Sequence, residues 1–542
     1  MRNASFFPIL LTLLCLSAPP GEAAPSKDLN TARMLDRQGK FEEAIEFARK
    51  SISATPDDTD AARFLQDILI REDRRDDAED VATSDMSPLV RRLLELRILA
   101  PKRAESDLRE LAKLTGAPSV TVLDLAASQI ALGKSKTAEL TLKPYLDGHP
   151  DSAEALFLLG VARRDAGKLH PARAALEDAV AADAGYPEAT VALAEVLREI
   201  GEGEQARKEY KSALDLYPEN PVLLLGLAED HLRTDEFLSA ERTLELLTGY
   251  RPGRASYHAK LARVRMSLGK FEEAEESVRT ALELDDRDAE SHRALGFILE
   301  SKDEHEDALE AYTKAASLRP EWAAIHRDIG TIHLAMGDLD EAEAEYRAAL
   351  KIDKDDEDSY LFLGITLFQA AKYKDARKVF AEVLKRDRDH VAANRYSGYA
   401  CLWEGKSKDA LKFFERAAKL DPEDSESQRM IGQVYIDLGK IDDAIDALDI
   451  ALDRNPENAR AHFTMGKAFE RKEDFTSAED SYREAIDLDA DYPYPYLYLA
   501  ELMDEVNDRP DEALPLYEMY LELGGPDPSG DVKERIRQLK EQ

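Results

Sequence analysis

Four arginines stand at places separated by multiples of 34 residues along the chain, and a leucine fills the one gap in the series. Guanidinium groups grip carboxylates and phosphates through a planar fork of N–H donors. Arginines beside aromatic rings are also a common composition of recognition surfaces. The series therefore indicates binding chemistry toward an acidic ligand. It comprises Arg293, Arg327, Leu361, Arg395 and Arg429, with Phe297, Ile365, Phe368, Tyr399, Leu402 and Trp403 at nearby places.

The same arginines have a second interpretation, because acidic residues occupy other places on the same predicted surface. These acids are Glu290, Glu300, Asp358 and Glu426. Solvent-exposed ion pairs contribute little to stability, so arginines paired with them would be ordinary surface charges. The sequence leaves both interpretations open.

Residues that could perform catalysis do not assemble into a recognisable site. The chain has no Walker loop, no Gly-x-Ser-x-Gly and no Cys-x-x-Cys, and its many carboxylates include no pair that spacing singles out. His326 and His333 lie seven residues apart without an acidic or cysteine partner at metal-ligand spacing. We therefore predict no enzyme activity, no catalytic residue, no metal and no cofactor. Four regularly spaced histidines, of which His326 is one, indicate ring packing because they recur at one packing place: His258, His292, His326 and His462.

A register of 34 residues positions all of these side chains, without insertion or deletion from Ala153 to Tyr492. Within each block the apolar residues form two runs of i, i+3, i+4, i+7, which predicts two amphipathic helices. Glycines such as Gly269 and Gly337 lie between the runs, where a helix C-terminus favours a left-handed backbone. A small residue at the eighth place, such as Gly160, lets the two helices approach closely.

These blocks resemble the tetratricopeptide repeat, a family of stacked helix-turn-helix units. The resemblance implies an all-α, right-handed α-solenoid, or superhelix. We predict a signal peptide at 1–23, degenerate repeats at 24–118, twelve repeats at 119–526 and a closing helix at 527–542. The closing helix would bury Val532, Ile536 and Leu539.

The resemblance also implies that the first helix of each repeat lines a concave groove. Its second, fifth, ninth, twelfth and thirteenth places would face a ligand. The paired lysines and asparagines with which some members clamp a C-terminal carboxylate are not matched. Tyr494 and Tyr498 form a second predicted exposed patch. The candidate ligand-binding residues on this basis are Arg293, Arg327, Arg395, Arg429, Phe297, Phe368, Tyr399 and Trp403.

The formal net charge of −37 over 542 residues argues against nucleic acid or anionic lipid as a partner. Arg2, the apolar run from Phe6 to Leu16 and the small residues that follow predict a secretory signal peptide. The run is short for a membrane span. Cys401 then remains as a single cysteine at a packing place, since the other, Cys15, lies in the signal peptide. We expect export across the inner membrane to the periplasm.

Together these observations predict a non-enzymatic scaffold that binds a protein or peptide segment in its groove, in bacterial cell-envelope assembly or export. The envelope role is an analogy with other secreted arrays. Two alternatives remain: a polysaccharide-binding or export-coupling subunit, and an accessory subunit that positions a separate enzyme. The sequence does not decide the oligomeric state.

Overall fold

A computed structural model describes residues 26–72, 74–114, 118–506 and 509–541. These residues form α-helices joined by short turns, and this described part contains no β-strand. None of its helices is long and apolar enough to cross a bilayer. The chain divides into two units, of which the first ends at Arg287 and the second begins at Asp288. The predicted signal peptide and Cys15 lie outside the described residues.

The helices alternate as first and second helices of successive repeats. In the first unit they are α1 Lys27–Arg37, α2 Phe41–Ala54, α3 Thr59–Arg71, α4 Arg75–Glu79, α5 Pro88–Arg97, α6 Pro101–Leu111, α7 Thr121–Ala131, α8 Ser135–Gly148, α9 Ala153–Asp165, α10 Leu169–Ala182, α11 Pro187–Glu199, α12 Gly203–Leu216, α13 Pro221–Arg233, α14 Phe237–Tyr250, α15 Ala255–Ser267 and α16 Phe271–Leu284. In the second unit they are α17 Ala289–Glu300, α18 His305–Leu318, α19 Ala323–Met336, α20 Leu339–Ile352, α21 Glu357–Gln369, α22 Tyr373–Arg386, α23 Val391–Trp403, α24 Ser407–Leu420, α25 Ser425–Asp437, α26 Ile441–Arg454, α27 Ala459–Arg471, α28 Phe475–Leu488, α29 Pro493–Glu501, α30 Pro510–Glu522 and α31 Asp531–Glu541.

Polar residues at one recurring place start many of the first helices. Asp356 and Asp424 accept hydrogen bonds from backbone amides of the following turn, and Asn220 and Asn458 do the same. Such side chains satisfy amide groups that have no partner inside a helix. Where a short polar residue ends a block, it therefore fixes where the next repeat begins.

Close packing inside each repeat depends on the small residue at the eighth place. A Cβ atom added at Gly296 would lie 2.6 Å from Cδ1 of Tyr312, a fully buried ring on the second helix. The predicted role of this place is therefore confirmed. First helices of neighbouring repeats also approach one another across the intervening helix, for example α11 to α13 and α25 to α27. This approach places the first helices on the inner face of each stack.

The last repeat contains one inserted residue, which the structure absorbs as a π-helical segment. The segment spans Leu502–Val506, directly after α29. A single extra residue in a helix commonly produces such a bulge. The closing helix α31 then packs Leu539 against the last repeat, with Val532 and Ile536 beside it. The apolar stripe predicted for this helix is therefore confirmed.

Candidate functional site

The inner face of the first unit is covered by the unit's own N-terminal helices. Arg63 on α3 donates hydrogen bonds to Asp124 on α7, at 3.0 Å, and to Glu154 on α9, at 2.7 Å. Arg71, further along α3, lies 3.8 Å from Glu188 on α11. Helix α3 therefore crosses three consecutive first helices, α7, α9 and α11, on the inner face of the unit.

Further contacts tie the N-terminal helices to later turns of the same unit. Arg37 pairs with Asp183 at 2.6 Å, and Asn220 donates to the carbonyl oxygen of Arg37 at 3.2 Å. Arg251 pairs with Glu72 at 2.9 Å and stacks its guanidinium 3.6 Å from the centre of a phenylalanine ring, Phe41. These contacts join residues more than 140 positions apart in sequence. Most residues of α9 and α11 are buried, so these contacts cover the inner face of this part of the unit.

The second unit carries a cluster of aromatic side chains on and beside its first helices α21 and α23. We name Phe368, Tyr373, Tyr396, Tyr399 and Trp403 the aromatic patch. The centre of the Phe368 ring lies 6.0 Å from that of Tyr396 and 6.1 Å from that of Tyr399. Tyr373 stacks on Trp403 at 5.7 Å with the two planes within 10°. The side chain of Trp403 is 66% exposed, so the patch presents a flat aromatic surface to solvent.

Electrostatic contacts hold Tyr399 in place. Its hydroxyl donates to Glu426 at 2.6 Å, and Arg429 donates to the same carboxylate through two N–H groups. Burial raises the pKa of Glu426, but the hydrogen bonds from Arg429 and Tyr399 outweigh burial and lower its pKa overall. Burial and the nearby Glu426 charge raise the pKa of Tyr399. The carboxylate therefore stays charged and the tyrosine stays a donor.

The predicted arginine series pairs with acids, which lie on the next repeat for Arg293 and at the end of the same 34-residue block for Arg327 and Arg395. Arg293 donates to Asp328 at 2.5 Å, Arg327 to Asp356 at 2.8 Å, and Arg395 to Asp424 at 3.1 Å. Two of these acids, Asp356 and Asp424, also cap the first helix of the next repeat. Arg429 pairs within its own helix, with Glu426.

Two of the four acids named from the sequence take part in these pairs. Glu426 pairs with Arg429, and Asp358 lies 3.4 Å from Arg327. Glu300 instead accepts a hydrogen bond from Tyr312, and Glu290 lies 3.6 Å from Arg319. The arginines are thus charge-neutralised by acids within and between repeats. They do not form an unpaired positive stripe.

The candidate aromatic residues do not all come together. Phe368, Tyr399 and Trp403 belong to the aromatic patch. Phe297, on α17, lies two repeats before Phe368 and three before the other two, and is 46% exposed. Sequence reasoning missed Tyr373 and Tyr396. Tyr373 could have been found from its turn, Ala371-Lys372-Tyr373, because the ring occupies the place of Phe271 after Gly269-Lys270.

Family comparison agrees with this architecture. Family models described as tetratricopeptide repeat match residues 29–58, 123–187, 162–221, 204–264, 259–321, 299–358, 333–397 and 429–493. These spans cover more than half of the chain. The chain belongs to the tetratricopeptide repeat family.

Several solved structures are similar to this chain. The APC/C hetero-tetramer Cut9-Hcn1 is similar over 88% of this chain and 97% of that chain, with 15% identity and a TM-score of 0.43. YrrB, described as a TPR protein with an unusual peptide-binding site, matches 34% of this chain and 96% of its own, with 24% identity and a TM-score of 0.32. PilF of Pseudomonas aeruginosa matches 39% and 97%, with 20% identity and a TM-score of 0.36. None of the curated proteins matches the chain.

The histidines of this tetratricopeptide repeat chain make a contact that the sequence did not reveal. A ring nitrogen of His258 lies 2.9 Å from the carbonyl oxygen of Pro252, and the contact recurs from His326 to Pro320. The carbonyl accepts, so the ring donates. The rings are half-buried and hold the preceding turn, which adds a hydrogen bond to the predicted packing role. His462 makes the same contact with Pro456.

The remaining candidate groups are Cys401, side chains that could hold a metal ion, and the tyrosines at the end of the array. Cys401 is buried and unpaired by any disulfide, as its packing place predicts. The described residues contain no group of three or more histidine, cysteine or acidic side chains arranged to hold a metal ion. At the end of the array, Tyr496 is buried and Tyr494 is exposed, as predicted. Tyr498, predicted to be exposed, is instead half-buried because its ring packs against Phe463.

Proposed function

We propose that this tetratricopeptide repeat scaffold binds a segment of a partner protein along the inner face of its second unit, at the aromatic patch. Proteins of this repeat fold are typically non-enzymatic scaffolds for protein interaction. The arginines Arg293, Arg327, Arg395 and Arg429 would contact acidic groups of the segment through N–H donors that their own acids leave unused. Phe297 would extend the apolar contact toward the start of the unit.

One observation carries this proposal: the two units differ in the state of their inner faces. In the first unit α3 covers the inner ends of α7, α9 and α11 through Arg63 and Arg71. In the second unit Trp403 and Phe297 remain exposed on first helices. Exposed aromatic rings beside arginines are the composition in which binding energy is usually concentrated. The second unit is therefore the better candidate for a partner.

The experiment compares two exposed apolar side chains of the second unit, one on each face. Trp403→Ala removes the most exposed ring of the patch, whereas Ile450→Ala removes an exposed side chain from α26, a second helix. A photo-crosslinking residue placed at position 297 would report partner capture in cells. We expect the crosslinked product to fall at least about tenfold in Trp403→Ala, as for loss of an aromatic hot spot. It should persist in Ile450→Ala.

Equal capture by both variants would refute the proposal, provided that circular dichroism shows unchanged helicity. Charge reversal of Arg327 or Arg395 is a less clean test. Those side chains also hold Asp356 and Asp424, which cap α21 and α25. A loss of capture in such a variant would not separate binding from folding.

A second candidate function is binding of polysaccharide, which the stacked pair of Tyr373 and Trp403 favours. Two nearly parallel rings with one exposed face form a flat platform on which a sugar ring could stack. A glycan array probed with the wild type and Trp403→Ala separates this function from peptide capture. If the wild type binds defined glycans and Trp403→Ala does not, the ligand of the aromatic patch is a sugar and not a protein segment.

The proposed place of action is the periplasm, in assembly of the cell envelope or export through it. It rests on the signal-peptide pattern of residues 1–23 and on the acidic, disulfide-free composition. Fractionation of cells that express the full chain tests it. Recovery with cytoplasmic markers, with residues 1–23 still attached, would rule it out.

A further inference from the structure

A pocket opens in the second unit between the second helices α22 and α24, with the first helix α23 at its floor. It encloses about 540 Å³, within the range of small-molecule sites. Leu384, Cys401 and Phe413 supply apolar walls. The polar lining consists of Arg377, Arg388, Asn394, Asp409, Lys412 and Arg416.

The pocket exists because two packing places carry small side chains in the same repeat. The fourth and eleventh places of this block are Asn394 and Cys401, which are 4% and 1% exposed. Flanking repeats fill these two places with larger side chains, and the stacked helices keep their spacing, so volume is left unfilled. The larger pairs are Tyr360 with Leu367 before it, and Gln428 with Tyr435 after it.

The polar lining of the pocket is mainly basic, in a chain whose net charge is strongly negative. Arg377 donates to Glu404 at 3.1 Å, and Arg416 pairs with Asp389. Each of these bonds uses one of the five N–H donors of a guanidinium group. The N–H groups that these two bonds leave unused belong to residues lining the pocket, and an anionic oxygen there would accept from them.

We propose that this pocket binds a small organic anion. Its apolar body would pack against Leu384, Cys401 and Phe413, and its carboxylate, sulfonate or phosphate group would accept from Arg416 and the neighbouring basic side chains. The pocket lies among second helices, whereas the aromatic patch lies on the inner face. The site is therefore separate from the proposed groove and would carry a ligand of its own.

The test uses anilinonaphthalene sulfonate, a fluorescent aromatic anion, with the full chain. We expect saturable binding at one site per chain. Asn394→Tyr restores the ring that Tyr360 supplies in the preceding repeat and fills the pocket, so it should weaken binding at least about tenfold. Gln428→Tyr makes the matching change at the same place of the next repeat and should leave binding unchanged.

Three results would overturn the proposal. Binding could survive in Asn394→Tyr, or fall equally in Gln428→Tyr, or be lost in Trp403→Ala, which would place the probe on the aromatic patch. The neutral analogue N-phenylnaphthylamine tests the charge requirement. If it binds as tightly as the sulfonate, the pocket does not select an anion.

Modification of Cys401 gives a second measurement that does not depend on fluorescence. The thiol lies in the pocket wall, so bound anion should slow its reaction with N-ethylmaleimide. Peptide mass spectrometry reads the product at this residue alone. An unchanged rate at saturating probe would contradict binding in the pocket, even if Asn394→Tyr proves poorly folded.

Discussion

The contact between a glycine and a ring inside each repeat shows how single residues determine the packing. Gly296 faces the buried Tyr312, whose hydroxyl donates to Glu300 at 2.7 Å. An added methyl group would force this ring and its hydrogen bond to shift. The residue types at such places follow from the 34-residue register alone, and the structure confirms them.

We expect Gly296→Ala to lower the free energy of unfolding of the second unit by about 1–3 kcal/mol. The matched change Gly249→Ala should be neutral or stabilise by about 0.5–1 kcal/mol, since nothing lies within 4 Å of its added Cβ atom and alanine favours a helix. Urea unfolding followed by circular dichroism measures both. Equal effects would mean that the ring moves aside freely.

Helices and their junctions could be predicted where the register is unbroken, and less well where it is not. The sequence shows one extra residue in the last repeat, but not that α29 continues into a π-helical segment at Leu502–Val506. The segment is contacted from outside the repeat. Arg535 on α31 donates two hydrogen bonds, each 2.6 Å long, to Asp504 in the segment. Asp504 is almost fully buried, so the closing helix supplies its only described cation.

Loss of the Arg535 side chain should release α31, because the buried carboxylate of Asp504 would lose its partner. We expect Arg535→Ala to destabilise this helix by about 1–3 kcal/mol. Arg537→Ala, on the same helix but mostly exposed, should cost far less. Hydrogen exchange of residues 531–541 reports the difference. Comparable protection in both variants would show that Leu539 alone holds the helix.

At the scale of the whole molecule, local register predicts the repeats but not which inner face stays open. Repeat contacts are mainly between neighbours, whereas Arg63 and Arg37 reach partners 91 and 146 residues away. No periodicity encodes such contacts. The sequence therefore predicted Phe368, Tyr399 and Trp403 as groove residues without revealing that the first unit covers its own inner face. The sequence predicted that acidic residues would pair with the arginine series. It did not identify Asp328, Asp356 and Asp424 as those residues.

The contacts that α3 makes with the inner face of the first unit, which we call the cover, are ionic. Some of their buried polar atoms lack a hydrogen-bond partner. Its two apolar clusters, one from Leu29 to Leu94 and one from Leu93 to Tyr210, meet across buried arginines and carboxylates. Nε of Arg63, Nε of Arg71 and Oδ2 of Asp124 are buried without a hydrogen-bond partner in the protein. Buried ion pairs of this kind add little net stability. The cover should therefore respond to protonation more than an apolar contact would.

Glu188 allows the direction of that response to be predicted. Burial raises its pKa to about 7, although the nearby Arg71 acts to lower it. Between pH 4.5 and about pH 7, Glu188 is therefore protonated in the folded state and ionised in the unfolded chain. The stability of the cover should accordingly fall as the pH rises from about 5 to about 7, and stay lower above that.

Glu188→Gln removes the titrating group, so its effect should depend on pH. At about pH 8 the variant should protect the amides of α3 more than the wild type does, by on the order of 1 kcal/mol, because no charge is buried there. The difference should shrink as the pH falls and disappear near pH 4.5, where the glutamate of the unfolded chain is also protonated. Glu204→Gln, an exposed neighbour, serves as the control. The measurement is hydrogen exchange of residues 59–71. If Glu188→Gln is protected less than the wild type at about pH 8, the attraction between Glu188 and Arg71 exceeds the cost of burying the glutamate.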